Sequence, residues 1–273
     1  WQTHFGPPNK TDAFYYLLGI IASDFQKSKP RISSTELVLT LSKNYTWSKT
    51  LGDATCYYLG QLGIHAKQVK DRDSSAGHNT CHSWRSQKTP LGTWILHTCF
   101  GLQPHQTTTY DPLYARWLLT APHQHRIALL QGFADGDGWA STRDQCIGIY
   151  AGPNILLIKD LLHSLNIHSE TDGKRVRIRT QKGIIQAKKM PLFRFAVSRQ
   201  TKATKIAEMM EARKRKRERL IPKKISKIIL QLHKQKKSSG YIAEYIFDQF
   251  GMSYDRSSIS YHIRIKEKTS QER

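Results

Sequence analysis

Phe14–Phe25 reads FYYLLGIIASDF, and Ile127–Gly138 reads IALLQGFADGDG. Leu17, Leu18, Ile20 and Ile21 in the first stretch, and Leu129, Leu130, Phe133 and Ala134 in the second, leave almost no polar face. Each stretch is therefore predicted to be a buried helix. Each carries a central glycine, Gly19 or Gly132, which costs about 0.5–1 kcal/mol relative to Ala in a helix. Such a glycine is useful where a second backbone passes very close. The natural partner of each helix is the other one, related by a pseudo-twofold axis. Each helix ends in an acid. Asp24 closes the first, and Asp137 closes the second with Gly138 behind it as a C-cap. A carboxylate there meets the negative end of the helix dipole, and two parallel helices would set the two carboxylates face to face. A local rule broken twice at matching positions marks a site. A divalent cation that takes hard oxygen ligands, Mg²⁺, would remove the conflict.

The order of signals after each stretch repeats. A strand-like run follows (Glu36–Leu41, and Cys146–Tyr150). A helical stretch comes next (Leu51–Ile64, and Asn154–Ile167), then two strands and a closing helix. In the first copy the strands are Thr80–Gln87 and Thr93–Phe100, joined across KTPLG as a hairpin. In the second they are Lys174–Thr180 and Leu192–Val197. The predicted fold is α+β, two pseudo-symmetric αββαββα units plus a small all-α C-terminal domain. The boundaries read 10–122 for the first unit, 123–212 for the second, 213–223 for a basic linker and 224–268 for the appended domain.

The chain of 273 residues holds 43 Lys+Arg against 21 Asp+Glu, a net charge of +22. So large an excess repels itself, and a polyanionic partner is the usual reason to tolerate it. Nucleic acid leads. An anionic membrane surface is the alternative, but no lipidation signal, amphipathic anchor or apolar run of about eighteen residues supports one. No signal peptide is read, and the four cysteines are scattered, which suits a reducing, intracellular setting. Residues 201–273 hold 19 basic and 8 acidic residues, densest in RKRKRERLIPKK, Arg213 to Lys224. That run reads as a phosphate contact, or else as a solvated helix face. Arg175, Arg177 and Arg179 alternate with aliphatics, which puts three guanidinium groups on one sheet face. Gln68, Lys70 and Arg72 form the matching row, and none of the six is an acid. Arg85, Lys188 and Arg194 add to the basic surface. A basic extended face fits a DNA groove.

LLGIIASDF (Leu17–Phe25) and LQGFADGDG (Leu130–Gly138) resemble two copies of the LAGLIDADG motif of homing endonucleases. The second keeps the Leu, Gly, Asp and final Asp-Gly positions. The first has Ala22 where an acid is common and Phe25 where Gly is usual. The final acid, the family's metal ligand, stands in both as Asp24 and Asp137. The resemblance covers roughly residues 10–212. It implies an intron-encoded, monomeric endonuclease whose two sheets form a saddle over double-stranded DNA and make a staggered break. Two or three Mg²⁺ ions would be held at the helix interface by Asp24 and Asp137, with no organic cofactor. A basic residue near each metal would orient water or steady the phosphate, namely Lys43 in the first unit and Arg199 or Lys202 in the second. A plain phosphate contact is the alternative for all three. Asp135 reads as a helix-end acid that is not a ligand.

Beyond the linker, Ile225–Gln235, Tyr241–Phe250 closed by Gly251, and Asp255–Ile265 read as three helices. With Arg256, Ser258, Tyr261 and Arg264 on the last, this looks like a helix-turn-helix, or else a cap that only packs on the rest. His78, Cys81, His82, His97 and Cys99 could meet across the first hairpin as a zinc site, against the simpler reading of ordinary strand residues. Two other functions share this pattern. One is a silent DNA-binding regulator of the sporulation type, which lacks the acid pair. The other is a maturase acting on host intron RNA.

Overall fold

The computed structural model describes residues 11–26, 34–72, 80–102, 113, 116–213 and 221–271, with the backbone alone for Thr11, Gln26, Lys70, Arg72 and residues 268–271. Helix α1 (Thr11–Ser23) leads into strands β1 (Phe25–Gln26) and β2 (Val38–Ser42). Helix α2 (Ser48–Gln61), strands β3 (Ala66–Arg72) and β4 (Cys81–Ser86), and helix α3 (Pro90–Trp94) follow, and α3 runs on into a π-helical turn, Ile95–Cys99. The order then returns as α4 (His123–Asp137), β5 (Gly138–Ser141), β6 (Cys146–Tyr150), α5 (Ile155–Ser164), β7 (Glu170–Asp172), β8 (Arg175–Ile178) and α6 (Gln181–Lys189), with a long α7 (Val197–Glu211) after it. Helices α8 (Lys223–Lys234), α9 (Ser239–Phe250) and α10 (Arg256–Gln271) complete the chain. Both sheets are antiparallel, with strand orders β1-β2-β4-β3 and β5-β6-β8-β7. The fold is α+β, two like units and an α-helical extension, as the sequence pattern predicts.

The two glycine-bearing helices pack against each other. A Cβ on Gly19 would overlap the Leu129 carbonyl oxygen, and one on Gly132 would overlap the Tyr16 carbonyl oxygen. The contacts are reciprocal, as a twofold relation between α1 and α4 requires. Tyr16, Leu17, Leu18, Ile20, Leu130 and Phe133 are almost fully buried, in one apolar cluster that runs through both units. A second cluster built on Ile225, Ile229, Ile242, Ile246, Ile259 and Ile263 is the core of the three-helix extension. Gly251 takes the left-handed conformation, φ 62°, and stops α9 ahead of α10, as a glycine after a helix end commonly does.

Asp135 ties the helix pair to the second unit. Its buried carboxylate accepts from the Tyr16 hydroxyl (2.7 Å), Phe195 N (3.0 Å) and Ala196 N (3.1 Å). This explains why the predicted strand Leu192–Val197 does not form. The Phe195 and Ala196 amides go to Asp135, the Phe193 amide to Gln200 Oε1 (3.0 Å) and the Val197 amide to the Phe195 carbonyl (2.8 Å), so most of the segment's ladder donors are taken. The second closing element is instead α6, capped by the Thr180 side chain on Gly183 N. The predicted hairpin at KTPLG is also a helix. Thr89 caps α3 by accepting from Leu91 N, and Pro90 occupies its first turn, a start signal that outweighs the β-branched residues after it. Gly138 follows α4 in extended conformation, not the left-handed one. The Ala134 carbonyl and the Phe193 ring leave no room for a Cβ.

Candidate metal and DNA site

Asp24 and Asp137 lie at the ends of α1 and α4 and open on one cavity of about 250 Å³. The cavity is walled by Thr40 and Ser42 of β2, Tyr45 and Trp47 of the turn after it, Trp139 of β5, and Arg199 of α7. Gly136 permits this meeting. A Cβ there would overlap the Ser23 hydroxyl and stand 2.8 Å from Asp24 Oδ2. The sequence expectation that the two acids face a common space is thus realised. Among the described residues no group of three or more His, Cys, Asp or Glu is placed to hold a metal ion. Two carboxylates suit a hard cation only as part of its shell, with water or phosphate oxygens supplying the rest.

Arg199 is the basic residue brought to this cavity. Its Nη1 donates to the carbonyl oxygens of Asp135 (2.6 Å), Gly136 (2.9 Å) and Ala134 (3.3 Å), at the C-terminal end of α4. Its guanidinium stacks 4.3 Å from the Trp47 ring and 5.7 Å from that of Tyr45, both in the other unit. A fixed cation thus already offsets the negative end of α4. The conflict that a divalent cation was expected to remove is thus partly offset by a side chain of the chain itself. Burial pushes the half-buried Asp24 carboxyl up to about 6. The Arg199 guanidinium pulls it down, and the nearby Asp135 adds to the rise. Burial likewise pushes Asp135 up to about 6 against its donors. Replacing Arg199 by Ala removes this donor from the Asp135 and Gly136 carbonyls, while the Ala134 carbonyl keeps Gly138 N, and should cost about 1–3 kcal/mol in urea denaturation. Arg199→Lys should recover less than half, because an ammonium has no planar face to stack on Trp47. Equal stability of wild type and Arg199→Ala would remove the positioning role.

Lys43 and Lys202 are placed elsewhere. Lys43 pairs with Asp71 at 2.7 Å, and Asp71 also meets His82 Nδ1 at 3.0 Å. Those two hydrogen bonds hold the Asp71 carboxyl down to about 2. Lys202 is exposed on α7, off the cavity lining. The zinc grouping is not assembled among the described residues. His97 and Cys99 lie in the π turn, Cys81 and His82 in β4, and His78 falls outside the described residues.

The outer faces of the sheets correct the basic rows. In the second sheet Arg177 pairs across from Gly148 and Trp139, on the face that turns toward the cavity, and Arg175 shares it. The same face carries Glu170 and Asp172 from β7, and Arg177 meets Asp172 at 2.6 Å. Arg179, past the strand end, lies 3.9 Å from Glu170. Reading one strand at a time missed these acids, because the neighbouring strand supplies them. In the first sheet a bulge between Val69 and Arg72 breaks the alternation. Gln68 lies opposite Trp84, whose ring packs on Gly52 of α2, whereas the Arg72 backbone is in register with Cys81. The row of Gln68, Lys70 and Arg72 is therefore not continuous, since one inserted residue reverses the side-chain period. The Lys70 and Arg72 side chains are outside the described residues. Lys67 was missed and belongs to the cavity face, opposite Arg85, which lies 3.8 Å from Glu36.

The remaining basic positions are structural contacts here. Lys188 pairs with Glu211 at 3.1 Å. Arg194 pairs with Asp12 at 3.2 Å and stacks over Tyr16 and Tyr58, at the opposite end of α1 from Asp24. On α10, Arg256 pairs with Asp144 (2.9 Å) and Ser258 N is capped by Asp255 (2.7 Å), while Tyr261 and Arg264 are exposed. Residues 214–220 of the basic linker are outside the described residues. The aromatic wall of Tyr45, Trp47 and Trp139 was not singled out. The available signal was position: Trp139 opens the strand directly after Asp137, and Tyr45 and Trp47 follow the second strand after Asp24.

No family model matches the sequence, and no curated protein matches it. Among solved structures the chain is similar to mesophilic variants of the homing endonuclease I-DmoI, at 15% identity and TM-score 0.46, over 66% of this chain and 94% of that one. It is similar to I-DmoI in complex with DNA and Ca, at 16% identity and TM-score 0.48, over 70% and 97%. For I-DmoI in complex with DNA and Mn the values are 15%, 0.42, 62% and 90%.

Proposed function

We propose that the chain is a single-chain, site-specific DNA endonuclease of the LAGLIDADG homing type. The observation that carries this is the convergence of Asp24 and Asp137. Two acids at the ends of reciprocal, backbone-close helices open on one small cavity beneath the outer faces of both sheets. Asp24 and Asp137 are the residues that would hold Mg²⁺. When bound, the cation supplies charge stabilisation at the scissile phosphate and an activated water. The rest falls to the chain. Lys67, Arg85, Arg175 and Arg177 lie on the cavity faces and would take backbone phosphates, exchanging Glu36, Glu170 and Asp172 for them. The stack of Arg199 on Trp47 fixes one wall and the end of α4. Trp139 walls the other side and narrows the access of bulk water. The three-helix extension, with exposed Tyr261 and Arg264, is proposed to bind DNA as well.

One observation favours a second reading. Arg199 already sits as a cation beside Asp24, as suits a protein that binds DNA without cutting it. The test separates the two. The purified chain is incubated with a randomised duplex library in Mg²⁺ or in EDTA, and new ends are sequenced. Staggered ends at one recurring site, in Mg²⁺ only, are expected. Retention of duplex with no new ends in any divalent metal would establish the silent binder.

Cutting should also depend on pH through Asp24. Its carboxyl titrates at about 6, and a cation must displace the proton below that point. The Mg²⁺ concentration for half-maximal cutting should be flat above about pH 7. It should rise roughly tenfold per unit below 6, since one proton competes with the metal. A requirement unchanged between pH 5 and pH 8 would argue that Asp24 is not a ligand.

A further inference from the structure

We infer that the three-helix extension is rigidly docked on the second unit and reads DNA in fixed register with that unit's half of the site. This rests on the DNA-binding reading above and adds the geometry. Lys205 of α7 reaches two acids of α9, Glu244 at 3.1 Å and Asp248 at 2.9 Å. A Cβ on Gly240, in the first turn of α9, would overlap the Arg143 carbonyl, so backbone meets backbone at the turn between β5 and β6. Contact that close leaves no room for a domain swinging on a tether.

The docking also sets the level of the reading helix. Ser141 shares the face of Trp139 on β5, the face turned to the cavity. Its hydroxyl donates to Asp144 Oδ2 at 3.0 Å, and Asp144 Oδ1 takes Arg256 at 2.9 Å. One polar chain thus links the DNA face of the second sheet to the first residue of α10. Arg256 is a docking residue in this arrangement. The exposed Tyr261 and Arg264 are left to face a groove. From Asp137 to Arg143 the chain runs six residues, at most about 20 Å at strand rise. That spans about six base pairs at 3.4 Å each. The point at which the extension docks therefore lies no more than about six base pairs from the cut along the duplex, on one flank only.

The test is hydroxyl-radical footprinting of the full chain on its recovered target in EDTA. Protection is expected to run further on one flank than on the other. Five inserted base pairs between the half-site and the extra protection turn that segment to the opposite face of the duplex. The extra protection should vanish and affinity should fall at least tenfold, with cutting still at the original position. Tyr261→Ala with Arg264→Ala should give the same footprint loss without any insertion. Extra protection that survives the insertion would overturn rigid docking. Equal protection on both flanks, with cutting intact, would overturn DNA reading by the extension and leave the nuclease reading standing. Absence of cutting with the asymmetric footprint present would do the reverse.

Discussion

Gly19→Ala and Gly132→Ala are each expected to destabilise the fold by about 3 kcal/mol or more, beyond the usual 1–3 kcal/mol for overpacking. The added methyl would meet backbone, the Leu129 carbonyl in one case and the Tyr16 carbonyl in the other. No rotamer change relieves such a clash, so α1 and α4 must part. The layers packed around them lose contact in turn. For a chain of this size the melting temperature should fall by roughly 6–12 °C per substitution. Gly60→Ala is the control. Gly60 sits in α2 with nothing near its missing Cβ, and the change should stabilise by about 0.5–1 kcal/mol through the chain entropy of glycine alone. A Gly132→Ala protein as stable as wild type would mean that the two helices do not pack as described.

Asp24→Asn should lower the cutting rate by roughly 10³-fold, the order lost when a principal charge-stabilising group is removed, while raising stability at neutral pH. Both effects follow from one cause. Burial lifts the folded-state pKa of Asp24 from 3.8 to about 6. Between those values the native chain binds a proton that the unfolded chain releases, so stability present below about pH 4 is lost as pH rises through 6. The amide carries no charge to desolvate and should escape that loss. Denaturation at pH 4 and pH 7.5 checks it. Wild type and variant should be alike at pH 4, and the variant should be more stable at pH 7.5. A residue kept for packing would show the opposite pattern, lower stability and intact cutting.

The helix pair, the repeat of elements and the acid pair were legible in the chain because each rests on a local signal. An all-apolar helix with a central glycine and a closing acid needs no tertiary knowledge to read. The misreadings share a physical origin. Thr93–Phe100 carries strand-like residues, but the Thr89–Pro90 start decides for helix. Leu192–Val197 looks like a strand, but a side chain 60 residues away, Asp135, takes its amides. The row at Gln68 and Arg72 is broken by a bulge, which sequence alternation cannot register. The acids opposite Arg177 and Arg179 come from the next strand. Arg199 was named as a site residue, but its grip on three carbonyls at the end of α4 depends on a long-range approach that the sequence does not encode locally.

The most direct test of the central claim is strand-resolved cleavage of the recovered target duplex by wild type, Asp24→Asn and Asp137→Asn, with binding measured in parallel. The account predicts Mg²⁺-dependent cutting of both strands by wild type. Each variant should either nick one strand only or fail to cut, and both should bind as tightly as wild type. Wild-type rates from both variants, or tight binding with no cutting by any of the three, would contradict it.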